Sequence, residues 1–129
     1  MYEIVTEAEA VTSLWRWVRD VAPMQGTAGD VWKLSVKPSD APALVERANP
    51  RTALYDWGGG LVWLELDPGT DLRDRLGPFA GHATLVRALS PEATALPAFH
   101  PEPAPVAALS NGLRARFDPR GILNPGLMG

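Results

Sequence analysis

Apolar and polar residues alternate in several short stretches of the chain. Because successive side chains of a β-strand point to opposite faces, this period of two predicts strands with one buried side. Three consecutive glycines, residues 58–60, separate the second stretch from the third and predict a hairpin between them. The predicted strands cover residues 31–36, 52–57, 61–66 and 82–88.

Between and around these strands, apolar residues recur every three or four positions, which predicts helices. Thr6 is expected to cap the first helix, with Glu9 completing a capping box. Ser39 or Asp40 can cap the second helix, and Thr70 the third. The predicted helices cover residues 7–19, a segment ending at Ala48, residues 71–76, and a C-terminal segment that carries Val106, Leu109 and Leu113 into Phe117.

The order of the central elements is β-α-β-β-α-β, which predicts an α+β fold, the ferredoxin-like sandwich. In this fold a four-stranded antiparallel sheet carries two helices on one face. The first and last helices are additions to that core. We therefore expect residues 1–129 to form a single domain.

Alternation along the strands sorts their side chains between the two faces of the sheet. The face opposite the helices is predicted to mix aromatic with polar residues, so something should cover it: another domain, a subunit or a ligand. We expect Trp32, Leu34, Val36, Leu54, Val62, Leu64, Leu66, Ala83 and Leu85 under the helices, and Lys33, Ser35, Tyr55, Trp57, Trp63, Glu65, His82 and Thr84 on the opposite face.

Composition excludes some classes of function. The 129 residues carry a net charge of −3 and no basic run, which argues against a nucleic-acid partner. The chain contains no cysteine, so it supplies neither disulfides nor thiolate ligands for an iron–sulfur cluster. That usage fits a reducing cytoplasm. No apolar run reaches the roughly 20 residues that span a bilayer.

Four segments, in this order, resemble parts of one protein family. The family is that of FAD-linked oxidases with a vanillyl-alcohol-oxidase type of flavin domain, and the segments are similar to the C-terminal half of the FAD-binding subunits of bacterial glycolate oxidases. The segments are residues 32–36, 56–63 and 81–87, followed by the tail Phe117-Asp118-Pro119-Arg120-Gly121-Ile122-Leu123-Asn124-Pro125-Gly126, in which Ile122 and Leu123 are expected to anchor the tail.

The resemblance implies the substrate side of an FAD-dependent 2-hydroxy-acid oxidoreductase that oxidises glycolate to glyoxylate in an intact complex. It implies a second FAD subunit and an iron–sulfur subunit as partners, and a cytoplasmic location with membrane association only through such partners. The N-terminal FAD-binding domain of the family has no counterpart in this chain. We therefore expect the isolated chain to be inactive and to bind FAD weakly or not at all.

A second hypothesis belongs to a different class of function. A ferredoxin-like domain can serve as a non-catalytic interaction module, binding a partner subunit or a small ligand through its open sheet face. Because this fold hosts many functions, the fold alone favours neither hypothesis.

Four residues are candidates for the chemistry that the resemblance implies. His82 could orient a substrate carboxylate or accept a proton, although a histidine at a strand end often bonds only to backbone. Lys33 and Arg87 could bind the carboxylate, and Arg87 could equally pair with a nearby acid. Asn124 could contact the flavin edge or form an Asn-Pro turn without a ligand.

No metal site is predicted. Related 2-hydroxy-acid dehydrogenases hold a divalent ion with paired histidines, whereas His82 has no second histidine two or four residues away. The other histidine, His100, lies in a proline-rich segment and is expected to be a loop residue.

Overall fold

The computed structural model describes residues 4–125, so Gly126 of the tail lies outside the described residues. Four strands and five helices form within that range, and two short 3-10 turns, Ala22–Met24 and Trp57–Gly59, accompany them. The strands are β1 (Asp30–Val36), β2 (Thr52–Asp56), β3 (Leu61–Leu66) and β4 (Gly81–Arg87). The helices are α1 (Ala8–Arg19), α2 (Ala41–Ala48), α3 (Leu72–Leu76), α4 (Pro91–Thr94) and α5 (Ala104–Phe117).

The strands form one sheet in the order β2-β3-β1-β4, and every neighbouring pair is antiparallel. This order places the first strand in the middle of the sheet, between the third and the fourth. It confirms the predicted ferredoxin-like sandwich, and each strand boundary lies within one residue of its prediction. The register between β1 and β4 shifts once, between Val31 and Trp32.

The main core lies between one sheet face and the helices α2 and α3. Trp32 at its centre is completely buried, and the guanidinium carbon of Arg73 lies 4.9 Å from the centroid of its ring system. This distance is within the range of a cation–π interaction. The predicted core residues Trp32, Leu34, Val62, Leu64, Leu66, Ala83 and Leu85 are buried there, and Val36 packs against them partly exposed.

The prediction for β2 is wrong about which face its side chains occupy. Leu54 pairs with Trp63, and Tyr55 pairs with Val62, so Leu54 lies on the face opposite the helices. The physical reason is a second, smaller core on that face, in which Leu54 packs with Met24 and Val31. Tyr55 instead shares the side of Val62 and is 45% exposed.

Two predicted helix caps are also wrong. Helix α1 begins one residue later than expected, and its N-cap is Glu7, whose side chain makes no capping hydrogen bond. The N-cap of α3 is Asp71, not Thr70, and its carboxylate accepts a hydrogen bond from the Arg73 amide at 2.9 Å. A carboxylate at this position also complements the helix dipole, so it is a good substitute for the predicted hydroxyl.

The flanking helices α1 and α5 form as predicted, yet every residue in them stays at least partly exposed. Trp15 is 66% and Leu109 72% exposed, so neither helix packs its apolar stripe into the core. Ile122 and Leu123 are exposed as well, which overturns the expectation that they anchor the tail. Within residues 4–125, every helix is too short or too polar to span a bilayer.

A buried carboxylate joins three parts of the fold at the start of β1. Asp30 is fully buried, and its Oδ2 accepts a hydrogen bond from the Gly69 amide at 2.7 Å. Its Oδ1 accepts one from the Leu89 amide, also at 2.7 Å. The residue thereby ties the turn after β3 and the segment after β4 to the central strand. Hydrogen bonds that a carboxylate accepts from backbone amides are stronger than hydrogen bonds between neutral groups.

We expect Asp30→Ala to destabilise the fold by about 2–5 kcal/mol, because it removes two charge-assisted bonds and leaves both amides without an acceptor. Chemical denaturation of the purified chain measures the loss. Asp67→Ala is the matched control, because Asp67 is exposed and forms a surface ion pair with Arg51. That change should cost under about 1 kcal/mol. Equal losses in the two variants would show that Asp30 has no special structural role.

Candidate functional site

The open face of the sheet brings two predicted site residues together. On β1, Lys33 lies opposite Thr84 of β4, and Ser35 lies opposite His82. Alternate residues of one strand share a face, so these four side chains form two neighbouring rows on the same side. Side chains directly opposite on paired strands have Cβ atoms about 5 Å apart. His82 is exposed, and the other three are half-buried.

This group of four, the β1–β4 polar patch, combines chemical functions that suit a carboxylate. Lys33 carries a fixed positive charge, two hydroxyls can donate hydrogen bonds, and the imidazole can donate or accept one. None of the ion pairs formed within residues 4–125 involves Lys33. Sequence reasoning placed Ser35 and Thr84 on this face but gave them no role, since only the register shows them as direct neighbours of Lys33 and His82.

Arg87 lies on the same face but at the other end, where its guanidinium is used by the chain itself. Its Nη1 donates to the Met24 carbonyl at 2.7 Å, and its Nη2 donates to the Gly29 carbonyl at 2.8 Å. The Nη2 also donates to the carbonyl and hydroxyl of Thr27, at 3.1 and 2.7 Å. Arg87 thus holds the loop of residues 24–29 against the sheet, and its substrate role stays a prediction.

A buried acid holds the same loop. Glu65 is 4% exposed, and its Oε1 accepts a hydrogen bond from the Gly29 amide at 3.1 Å. A side chain at position 29 would meet Glu65 Cγ and the Leu66 carbonyl, both at 2.5 Å, so only glycine fits there. The loop therefore forms a fixed wall at one end of the open face.

His100 is a loop residue, as expected, but its ring also lies beside that of His82. The two ring centroids are 5.9 Å apart, and the rings meet edge to face at 86°. The Nδ1 of His100 accepts a hydrogen bond from the Ala83 amide at 3.3 Å. Burial lowers the pKa of His100, and the charges of Arg73 and His82 lower it further. Within the described residues no three His, Cys, Asp or Glu side chains converge to hold a metal ion.

The tail after α5 forms a turn around a single acid. The Asp118 carboxylate accepts hydrogen bonds from the amides of Leu123, at 2.8 Å, and Ile122, at 3.0 Å. These two bonds lower the pKa of Asp118. Asn124, at a left-handed φ of 47°, follows this turn and is exposed. Asparagine tolerates that conformation better than most residues. Because Asn124 is exposed, its carboxamide is available for a contact outside the chain.

The chain is similar to glycolate oxidase subunit GlcE of Escherichia coli strain K12. The two share 32% identity over 128 residues, which is 98% of this chain and 34% of that protein. The chain thus spans about a third of the length of its curated relative. This similarity confirms the resemblance predicted from the four segments. No protein-family model matches the chain, and no solved structure matches it.

We expect Arg87→Ala to release the loop of residues 24–29, because it removes four hydrogen bonds from a charged donor. The free energy needed to open the loop locally should fall by about 2 kcal/mol or more. Faster amide exchange across the loop, against unchanged exchange in β3, measures the effect. Arg47→Ala, at an exposed position of α2, is the control and should leave the loop protected. Unchanged loop exchange in Arg87→Ala would contradict the structural role.

Proposed function

We propose that this chain supplies the substrate side of an FAD-dependent 2-hydroxy-acid oxidoreductase, with glycolate as the substrate. The observation that carries the proposal is the β1–β4 polar patch, where Lys33 and His82 lie in adjacent rows of one open sheet face. The similarity to a glycolate oxidase subunit supports the substrate class.

The patch offers separate groups for the two ends of a short hydroxy acid. In the proposed complex, the Lys33 ammonium neutralises the substrate carboxylate, and the hydroxyls of Ser35 and Thr84 donate hydrogen bonds to its oxygens. The 2-hydroxyl then points towards His82. One small molecule can contact both rows, because side chains of paired residues lie about 5 Å apart.

Oxidation of a 2-hydroxy acid removes a proton from the hydroxyl oxygen and a hydride from the adjacent carbon, leaving a carbonyl. His82 takes the hydroxyl proton onto a ring nitrogen and so acts as a general base. Bound FAD supplies the acceptor for the hydride. The protein's own contribution is therefore orientation of the carbon–hydrogen bond and removal of one proton.

The tail offers one contact that fits a flavin. Asn124 can both donate and accept hydrogen bonds, which suits the alternating ring nitrogens and carbonyls of a flavin edge. The Asp118-centred turn fixes the backbone before it. A single carboxamide can orient a flavin edge but cannot by itself retain the cofactor. FAD binding in the intact subunit therefore depends on further contacts.

Partners follow from the same proposal. Electrons leaving the flavin need acceptors, and the resemblance names a second FAD subunit and an iron–sulfur subunit for that role. These 129 residues contain no cysteine, so they supply no thiolate ligand to such a cluster. The competing hypothesis, a non-catalytic interaction module, needs no base at position 82, which makes His82 the residue that separates the two.

The proposed function is tested by placing this chain in the matching third of the E. coli subunit and measuring glycolate-dependent dye reduction by the assembled complex. Lys33→Gln should raise KM about tenfold with little change in kcat, because it removes a charge-assisted contact to the carboxylate. Lys37→Gln, at the chain's only other lysine, is the matched control and should stay within twofold.

In the same assay His82→Gln should lower kcat about a hundredfold or more, because glutamine keeps hydrogen-bonding capacity but is not a base. Full activity in His82→Gln would exclude His82 as the base. If Lys33→Gln and Lys37→Gln behave alike, the β1–β4 polar patch does not bind the substrate. A complex that assembles and never reduces dye would favour the interaction module.

The flavin contact has its own prediction. In the assembled complex, Asn124→Ala should weaken FAD binding about three- to tenfold, the cost of one hydrogen bond to a neutral partner. The neighbouring Leu123→Ala is the control, and because Leu123 is 66% exposed it should leave both melting temperature and flavin affinity nearly unchanged. If Asn124→Ala lowers the melting temperature of the flavin-free protein and leaves flavin affinity unchanged, Asn124 is only a turn residue.

A further inference from the structure

A proline-rich segment is fastened along the outer edge of the sheet. The Leu85 amide of the edge strand β4 donates a hydrogen bond to the Ala98 carbonyl at 2.8 Å. From the other side, Arg73 donates to the carbonyls of Pro97 and Phe99, both at 2.5 Å. The bond from Leu85 occupies an amide of the sheet edge that would otherwise be unpaired. The segment of residues 97–100, named here the edge segment, is therefore held by contacts from both α3 and β4.

His100 ends the edge segment and is held at two points of its ring. Its Nδ1 accepts from the Ala83 amide at 3.3 Å, so the proton of the neutral ring lies on Nε2. Phe79 meets the same ring edge to face, with centroids 5.3 Å apart. The imidazole is half-buried and fixed.

His82 is placed against this fixed ring. Its backbone neighbour Ala83 donates the bond that holds His100, and its own ring lies 5.9 Å from the His100 ring, at 86°. His82 is exposed, and on β1 it lies opposite Ser35, another member of the β1–β4 polar patch. An exposed imidazole loses less rotational freedom on binding substrate when one side is already supported.

We propose that His100 is a positioning residue for His82: held by the Ala83 amide and Phe79, it supports the His82 ring at the open face. The catalytic meaning of this arrangement rests on the proposed function. The support itself is a property of the 129-residue chain and can be tested without any cofactor.

The lowered pKa of His100 agrees with its proposed role as a neutral supporting ring. Burial is the first cause that lowers the pKa of His100, followed by Arg73 of α3 and His82 of β4, the two basic groups that act on it. Since the folded pKa lies below the unfolded value, the neutral ring stabilises the fold above about pH 6.5, the ordinary histidine pKa. That contribution is lost as the pH falls through the lowered value, because a proton on Nδ1 displaces the Ala83 bond.

The test uses nuclear magnetic resonance on the 129-residue chain. Two variants distinguish the effect of the His100 ring from the effect of its hydrogen-bond acceptor. His100→Asn keeps an acceptor for the Ala83 amide but removes the ring. It should shift the His82 ring signals to those of a solvent-exposed histidine and change Ala83 amide exchange less than threefold. His100→Phe keeps a ring but no acceptor, so Ala83 exchange should rise about fivefold.

A second measurement avoids any risk that a His100 variant fails to fold. In His82→Gln, altered only at an exposed position, the pKa of His100 should rise, because one of the charges that lowers it is gone. Ser39→Gln, at an exposed position on the surface, is the control and should leave that pKa unchanged.

Support for the proposal requires both results: displaced His82 ring signals in His100→Asn and a raised His100 pKa in His82→Gln. Any other combination overturns it. These outcomes are independent of the dye-reduction assay, so the positioning role can fail while the proposed function stands, or hold while the proposed function fails.

Discussion

The pairing of β1 with both of its neighbours is the constraint on which the rest of the structure depends. As the central strand it buries Trp32 and Leu34 under the helices, and it presents Lys33 and Ser35 on the opposite face. Because side chains alternate strictly along a strand, a slip of one residue would exchange these two sets. The buried Asp30 at the start of β1 restrains that register through two backbone amides.

Two arginines hold irregular segments on opposite sides of this sheet. Arg73 lies over Trp32 on the helix side and fastens the edge segment through two carbonyls. Arg87 fastens the loop of residues 24–29 on the open side through three. Guanidinium groups suit this role because their donors are spread over a rigid plane and stay charged. These two side chains therefore fix the borders of the candidate site.

The sites proposed for substrate and for flavin are built differently. The β1–β4 polar patch stands on paired strands, whose geometry fixes neighbouring side chains within narrow limits. Asn124 stands instead on a turn held by one carboxylate, after the exposed helix α5. A site on strands is more precise than one on a turn. This difference suits the two proposed roles, because the substrate must be oriented, whereas the flavin edge needs only one contact.

The sequence by itself determined the strands, the order of elements and the open-face positions of Lys33 and His82, because alternation and turn glycines are local signals. Tertiary structure decided the rest. Because of the small core around Met24, Leu54 and Tyr55 lie on the faces opposite to those predicted. Met24 is 30 positions from Leu54, and local periodicity contains no information about a contact between residues so far apart. The pairing of His82 with His100 has the same origin, because the edge segment returns along β4 only once the sheet exists to hold it.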